Sequence, residues 1–586
     1  MARVTSRACV GDYESGLTNV VSSSVLAARV RMTFPYGAFL GLGYVLFGSS
    51  GRDDSHITYW AVWTLSHFGE IVNYSGARVE QSSSLLQTIL LSLLYKLVDG
   101  AIPTLGGYQA IVFGLLTIWE VGILTRFLGH EPAHSQLLLA TCTPFVYWAF
   151  GGLETSLVSF TVLWFLITYL KWREAPNWLR LTSMNLAISA WLLVRPESIA
   201  VLSLFSLTTV TYALRHGSDW RKTTLVCLWG ALWFAAIVTF RYAYFGGVFP
   251  QPVVAKIGDQ GLIQRVAEGG QYVLRSIYEY PLLIAIVPVG IVFVRAYFST
   301  GVWIDRFALL ALPVSYVVFI VSSGGDWMEG GRFFVPCIPV LVVIGQCLIV
   351  RLERRRMSVA AALAVNIILA VVFVGRDSMG IPMWDRRHLI DAASSDRNVF
   401  EAESVFETTN RVHLRDSIFL LKAGPIIRFY ENHLPVPLEL LSIQAGMVAF
   451  HLFESDFERL RFVDALGLSS RDFSSCALSR NWPRNSFGVE FSYEKYLPRK
   501  QEFFTLCHIP EPDIIFDLDD EKGSRAVYLK AHGYVIAYEQ AGTLEGRFPF
   551  KGGYVICREF LAVRESLYRA FPVPTVSVKF GEIRSG

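Results

Sequence analysis

Charge is scarce in this chain. Only 17% of its 586 residues are Asp, Glu, Lys or Arg, while 53% are hydrophobic. A soluble domain carries about 25% charged residues, so the shortage excludes a large soluble enzyme and implies a protein with many membrane spans. The formal net charge of +3 is too small and too evenly spread to mark a nucleic-acid partner. The chain has no CxxC pair and no histidine cluster, so no zinc site is legible. A need for a divalent metal is not written in the sequence, and no cofactor is called for. Internal repeats and low-complexity stretches are also missing. No apolar core precedes Val25, and Asp12 and Glu14 lie in the first 30 residues. The first apolar segment is therefore expected to act as an uncleaved signal anchor.

Of the eight cysteines, Cys142, Cys227, Cys337 and Cys347 lie in apolar segments and read as small core residues. Cys476, Cys507 and Cys557 lie in the polar C-terminal part. Cys476 and Cys507 could pair if that part is exported, and three unpaired thiols are the alternative.

Apolar runs long enough to cross a bilayer occur at about 33–48, 105–128, 135–150, 153–171, 181–195, 198–214, 224–245, 281–298, 307–323, 333–350 and 358–375. A further run at 84–98 is ambiguous, and basic residues decide it. If it does not cross, Arg29, Arg31, Arg126, Lys171, Arg173, Arg215, Arg221, Lys222, Arg295, Arg306 and the run "RLERRR" (351–356) all share one side. By the positive-inside rule that side is the cytoplasm. The expected architecture is a polytopic α-helical membrane protein with about eleven spans and interfacial helices in its first external loop. It divides into a cytoplasmic tail (1–30), a transmembrane catalytic body (31–376) and an extracytoplasmic α+β domain (377–586). The last is read from short β-like runs such as "GYVIAYEQ" alternating with helix-like runs such as "SDFERLRFVDAL". The expected location is the bacterial inner membrane, N-terminus inside.

In this topology one outer face collects the polar clusters "GRDDSHITYW", "ARVEQSSS", "GGLETS", "VRPES", "YFGGVFPQPVVAK" and "GGDWMEGGRF". Carboxylates at a membrane face are costly unless they bind a cation, pair with a base or carry chemistry. Asp53 and Asp54 are thus candidates for a general base; capping of the following helix is the structural alternative. Lys256, Arg332 and Arg195, with His56 and Arg241 behind them, are candidate anion-binding groups in a face otherwise poor in cations. Ion pairs Arg195–Glu197 and Arg332–Asp326 are the competing reading. Glu80, Glu154 and Asp326 could accept hydrogen bonds from ligand hydroxyls, although Glu154 could instead cap the helix that begins near Thr155. Trp327 could stack on a ligand or anchor the interface. Arg78 and Tyr59 complete the candidate ligand set.

The loop "DDSHITYWAVWTLSHFGEIVNYSGARVEQSSSLL" resembles the first external loop of GT-C glycosyltransferases, polytopic enzymes that take sugar from a polyprenyl-phosphate carrier. Matching positions are Asp53, Asp54, Ile57, Gly69, Asn73, Gly76, Arg78, Val79, Glu80, Ser83 and Leu85. "YWAFGGLETSL", "LLVRPES", "RYAYFGGVFPQPVVAK" and "SGGDWMEGGRF" are similar, in order, to later motifs of the arabinofuranosyltransferase branch. The resemblance covers about residues 30–375. That branch includes decaprenyl-phosphate-arabinose-dependent enzymes of mycobacterial cell-wall synthesis and an enzyme that glycosylates type IV pilin. The chain departs from its pattern at Ser55–His56, Gln81–Ser82 and Leu86–Gln87. The resemblance implies an inverting transfer of D-arabinofuranose from a polyprenyl-phosphate donor to a glycan or a pilin-like exported protein, with the basic set around Lys256 and Arg332 holding the donor phosphate and Glu80, Glu154, Asp326, Trp327, Arg78 and Tyr59 on the sugar or acceptor. The same scaffold with a hexose or aminoarabinose donor, or a lipid-linked sugar transporter, are the alternatives. A transporter would need polar residues near mid-depth, whereas these gather at one face.

Overall fold

The computed structural model describes residues 33–45, 47, 53–217, 220–256, 261–298, 304–326, 328, 331–351, 364, 366, 368, 411–442, 445–455, 458–479, 484–485, 488–489, 511–519, 524–544, 547–548, 551–552 and 555–579. The tail 1–30, the basic run beyond Arg351, the domain boundary near 377, Cys507 and Trp327 lie outside them, as does most of the expected span 358–375.

The N-terminal body is a helical bundle. Its described helices are α1 (33–45), α2 (Asp53–Phe68), α3 (Leu85–Leu97), α4 (Ile102–Phe127), α5 (Pro132–Ala140), α6 (Thr143–Ala149), α7 (Thr155–Glu174), α8 (Trp178–Val194), α9 (Ser198–Arg215), α10 (Trp220–Phe245), α11 (Gln251–Lys256), α12 (Leu262–Glu279), α13 (Ile286–Phe298), α14 (Ile304–Ser323) and α15 (Ile338–Arg351). Among the described residues five of these, α4, α7, α9, α10 and α14, are long and apolar enough to cross a membrane. The α12–α13 pair, bent by 117°, makes a sixth. Shorter apolar helices run over Leu85–Leu97, Trp178–Val194 and Arg332–Cys347. With 13 residues, α3 rises only about 20 Å, less than the hydrocarbon thickness of about 30 Å.

The apolar run 135–150 is not one continuous span. It breaks into α5 and α6 at Thr141–Cys142. Pro144 explains the break: it has no N–H for a helical bond and its ring would clash with the carbonyl of Ala140, the last residue of α5. Asn366 covers the exposed polar groups, donating to the Leu138 carbonyl at 3.3 Å and to the Thr141 hydroxyl at 3.2 Å. Similarly, the run 281–298 is only the second arm of the bent pair, which turns at Tyr280–Pro281.

The C-terminal part mixes strands and helices as expected, but the run "SDFERLRFVDAL" is not a helix: its residues Leu460–Asp464 form a strand, where Leu460, Phe462 and Val463 are buried and Arg461 is exposed. Six strands form one mixed sheet in the order Val576–Lys579, Tyr534–Leu544, Val555–Arg564, Ile514–Asp519, Leu438–Ser442, Leu460–Asp464. Leu438–Ser442 pairs in parallel with both its neighbours, whereas Val555–Arg564 is antiparallel to both of its own. Cys476 is disulfide-bonded, to a partner outside the described side chains.

The first loop is what joins the two parts. Trp60 of α2 stacks between Trp63 and Tyr74, at centroid distances of 4.9 and 4.8 Å, and Tyr74 packs on Phe453 and Phe462 of the sheet domain. Three consecutive side chains fasten the loop: Asn73 donates to Ser469 O at 2.8 Å, Tyr74 to Ala445 O at 2.9 Å and Ser75 to Phe462 O at 3.0 Å. One hydrophobic core therefore runs from α2 into the sheet domain. This puts the domain on the same face as the polar loops.

Candidate functional site

Asp53 and Asp54 are the first two residues of α2. Acids in a first helical turn are stabilised by the helix dipole. The side chain of Asp53 lies outside those described. Asp54 faces the other loops. Burial raises its pKa above the ordinary carboxylate value, Lys256 and Arg332 pull it back down, and Asp326 and Glu154 push it up further. Residues from three other motifs thus act on one carboxylate.

Each partner is set by its local backbone. Glu154 is the N-cap residue of α7, but its side chain makes no capping hydrogen bond. Instead it pairs with Arg195, Oε1 to Nε at 2.8 Å, and Arg195 also reaches Glu197 at 3.3 Å. Arg332 follows Gly331, whose φ of 59° suits glycine, and pairs with Asp326 at 2.7 Å. The Arg332 guanidinium also lies 5.8 Å from the Trp148 ring centroid and 5.6 Å from that of Phe333. Lys256 ends α11; among the described residues it forms no ion pair. A cavity beside this cluster is lined by the charged side chains of Arg195, Glu197 and Arg332 and by the apolar ones of Val201, Phe319 and Pro336.

The other candidates serve different places. Arg241 grips Glu80 with two hydrogen bonds, at 2.8 and 3.0 Å, and both residues are buried. The fork therefore occupies the Glu80 carboxylate, which burial shifts to higher pKa against the pull of Arg241. Arg78 is exposed and pairs with Glu70 at 2.6 Å. His56 is buried in an aromatic cluster, 5.1 Å from Tyr59, 5.5 Å from Phe450 and 5.6 Å from His451. Tyr59 donates to Gly152 O at 3.1 Å, and so does Gln87. That carbonyl precedes Glu154 by two residues, so both side chains brace the loop that carries it.

Sequence reasoning missed Gln87, Gln251 and the Asn73–Ser75 hook as organising groups. Gln251 stands inside a quoted motif, and its chemistry gives no sign of its partners. Among the described residues no group of three or more His, Cys, Asp or Glu is placed to hold a metal ion.

No protein-family model and no curated protein matches the chain. Solved structures do. The chain is similar to ArnT from Cupriavidus metallidurans bound to undecaprenyl phosphate, with 12% identity, 90% of this chain and 97% of that one covered, and a TM-score of 0.46. It is similar to the Archaeoglobus fulgidus oligosaccharyltransferase AglB in complex with an inhibitory peptide and a dolichol-phosphate, with 11% identity, 92% and 77% covered, and a TM-score of 0.47. At this identity and score the likeness assigns no roles; those rest on the geometry above.

Proposed function

We propose that the chain is an inverting membrane glycosyltransferase of the GT-C type that moves a sugar, D-arabinofuranose, from a polyprenyl phosphate to a glycan or pilin-like acceptor on the outer face of the inner membrane. The observation that carries this reading is that the charges of Lys256 and Arg332 both act on the Asp54 carboxylate. Transfer needs a base for the acceptor and fixed positive charge for the departing phosphate. The Asp54 carboxylate takes the proton of the acceptor hydroxyl. The acceptor oxygen bonds to the anomeric carbon from the side opposite the phosphate. The bond from that carbon to the phosphate oxygen breaks, and the phosphate leaves with the electron pair, held by Lys256 and Arg332. A raised pKa makes Asp54 a stronger base than an ordinary carboxylate. The adjoining cavity, with both charged and apolar residues in its lining, suits a phosphate joined to hydrocarbon.

The disulfide at Cys476 supports an oxidising compartment for the sheet domain. The first-loop resemblance supports the arabinofuranose donor. Incubating the purified chain and a glycan or pilin-peptide acceptor with arabinofuranose, aminoarabinose and hexose esters of a polyprenyl phosphate tests the reading. Release of free polyprenyl phosphate from the arabinofuranose ester is the expected result. Consumption of another ester alone would replace the sugar, and consumption of none would remove the enzyme. A cysteine placed at Ser75 should react with an impermeant reagent from outside once the domain is unfolded, and one at Arg351 should not.

A further inference from the structure

Lys256 sits on a helix too short to hold itself. Helix α11 has six residues, and isolated helices of that length are unstable in water. Its anchor is at the other end. The peptide N–H of Gln251 donates to the Glu80 carbonyl at 2.8 Å. The Gln251 side-chain amide, itself buried, donates to the Gly467 carbonyl at 2.9 Å and to the Ser474 hydroxyl of the sheet domain. Helix α11 packs on residues 484–485, 488–489 and 471–479 of that domain. Glu80 in turn is held through its carboxylate by Arg241, near the end of α10. Next to it, Gln81 donates to the Ile57 carbonyl at 3.0 Å and Ser82 bonds Thr58 at 2.9 Å, both in the helix that begins with Asp53–Asp54. One strap thus touches the base-bearing helix, the end of α10 and the lysine-bearing helix, and the sheet domain closes the fourth side.

We propose that Gln251 is a positioning residue through which the C-terminal domain sets the place of Lys256 against the donor phosphate. The proposal rests on the reading of Lys256 as a phosphate-binding group. It assigns the sheet domain a part in donor binding, separate from any part in holding the acceptor. A buried amide with both donors satisfied by a second domain is costly to remove, because Gly467 and Ser474 would lose a partner with no water to replace it.

The test is a double-mutant cycle on the full purified chain, with undecaprenyl phosphate as the probe and binding read by tryptophan fluorescence. Lys256→Ala should weaken binding about tenfold, the equivalent of about 1.4 kcal/mol. Gln251→Leu should weaken it comparably with Lys256 still present. Adding Gln251→Leu to Lys256→Ala should cost nothing more, because the group being positioned is already gone. If Lys256→Ala weakens binding and Gln251→Leu does not, the positioning role fails and the phosphate assignment stands. If the two losses multiply in the double variant, Gln251 acts independently of Lys256 and the proposal is overturned. If Lys256→Ala binds like the parent, the phosphate assignment fails first, and this proposal with it. Should Gln251→Leu not fold, Ser474→Ala removes one of its two acceptors and takes its place in the cycle, with a smaller loss expected.

Discussion

Lys256 lies close enough to Asp54 for its charge to oppose the rise that burial imposes on the aspartate's pKa. The proposed base and the proposed phosphate-binding cation are therefore one electrostatic unit, and a change at either is felt at the other. The acid limb of the kcat/KM–pH profile should lie above the ordinary carboxylate range, because burial is the largest influence on Asp54. Lys256→Ala removes a lowering influence, so the limb should move to still higher pH. Arg332→Ala should move it the same way. A limb that stays put in both variants would mean that another group limits the reaction.

Asp54→Asn keeps the shape of the side chain and removes its ability to take a proton. Loss of a positioned base costs roughly 100- to 10,000-fold. The purified variant should melt with the parent, bind undecaprenyl phosphate as well or better, and transfer sugar at that reduced rate. Transfer at the parent rate, measured by release of polyprenyl phosphate, would assign the base elsewhere.

Asp464 closes the loop that receives Asn73 and Gln251. Its carboxylate accepts from the Leu466 and Ser469 N–H groups at 2.9 and 2.7 Å and from the Ser469 hydroxyl at 3.2 Å. Burial outweighs these donors and pushes its pKa from 3.8 up to about 6. A raised carboxyl pKa stabilises the fold fully below the unfolded value, and this contribution is lost as pH rises through the folded value. Asp464→Asn has no titrating group. The melting-temperature gap between parent and variant should therefore favour the parent most near pH 3.8 and shrink as pH approaches 6. A gap that widens over that interval would contradict the assignment.

The polar clusters were legible in the sequence because carboxylates and cations at a membrane face need a reason to be there. Asp54, Lys256, Arg332, Asp326, Glu154 and Arg195 do converge. What was not legible is how charge is shared inside the set. Arg241 carries the same guanidinium group as Arg332, but its position at the end of α10 commits it to Glu80. His56 shares its loop with Asp54, but helical geometry turns it into the aromatic seam with Phe450 and His451. Hydropathy alone reads 135–150 as a span; the break needs Pro144 to be weighed against the carbonyl it would strike. The seam between loop and sheet domain depends on contacts across hundreds of residues, such as Asn73 to Ser469, to which no local pattern points.

Close packing at one glycine gives a test of the brace behind Glu154. A Cβ added at Gly106 of α4 would meet the Tyr59 ring at 2.4 Å and its hydroxyl at 2.6 Å. Tyr59 is fully buried, so it has little room to yield. Its hydroxyl would be driven off the Gly152 carbonyl, leaving Gln87 alone to hold the loop that leads to Glu154 and, through it, Arg195. Overpacking of this kind costs about 1–3 kcal/mol. Gly106→Ala should lower the melting temperature and also reduce kcat/KM. Tyr59→Phe, which loses the hydrogen bond without the clash, should reduce kcat/KM with a smaller loss of stability. If Gly106→Ala is destabilised while both variants keep the parent kcat/KM, Tyr59 packs the core without bracing the loop.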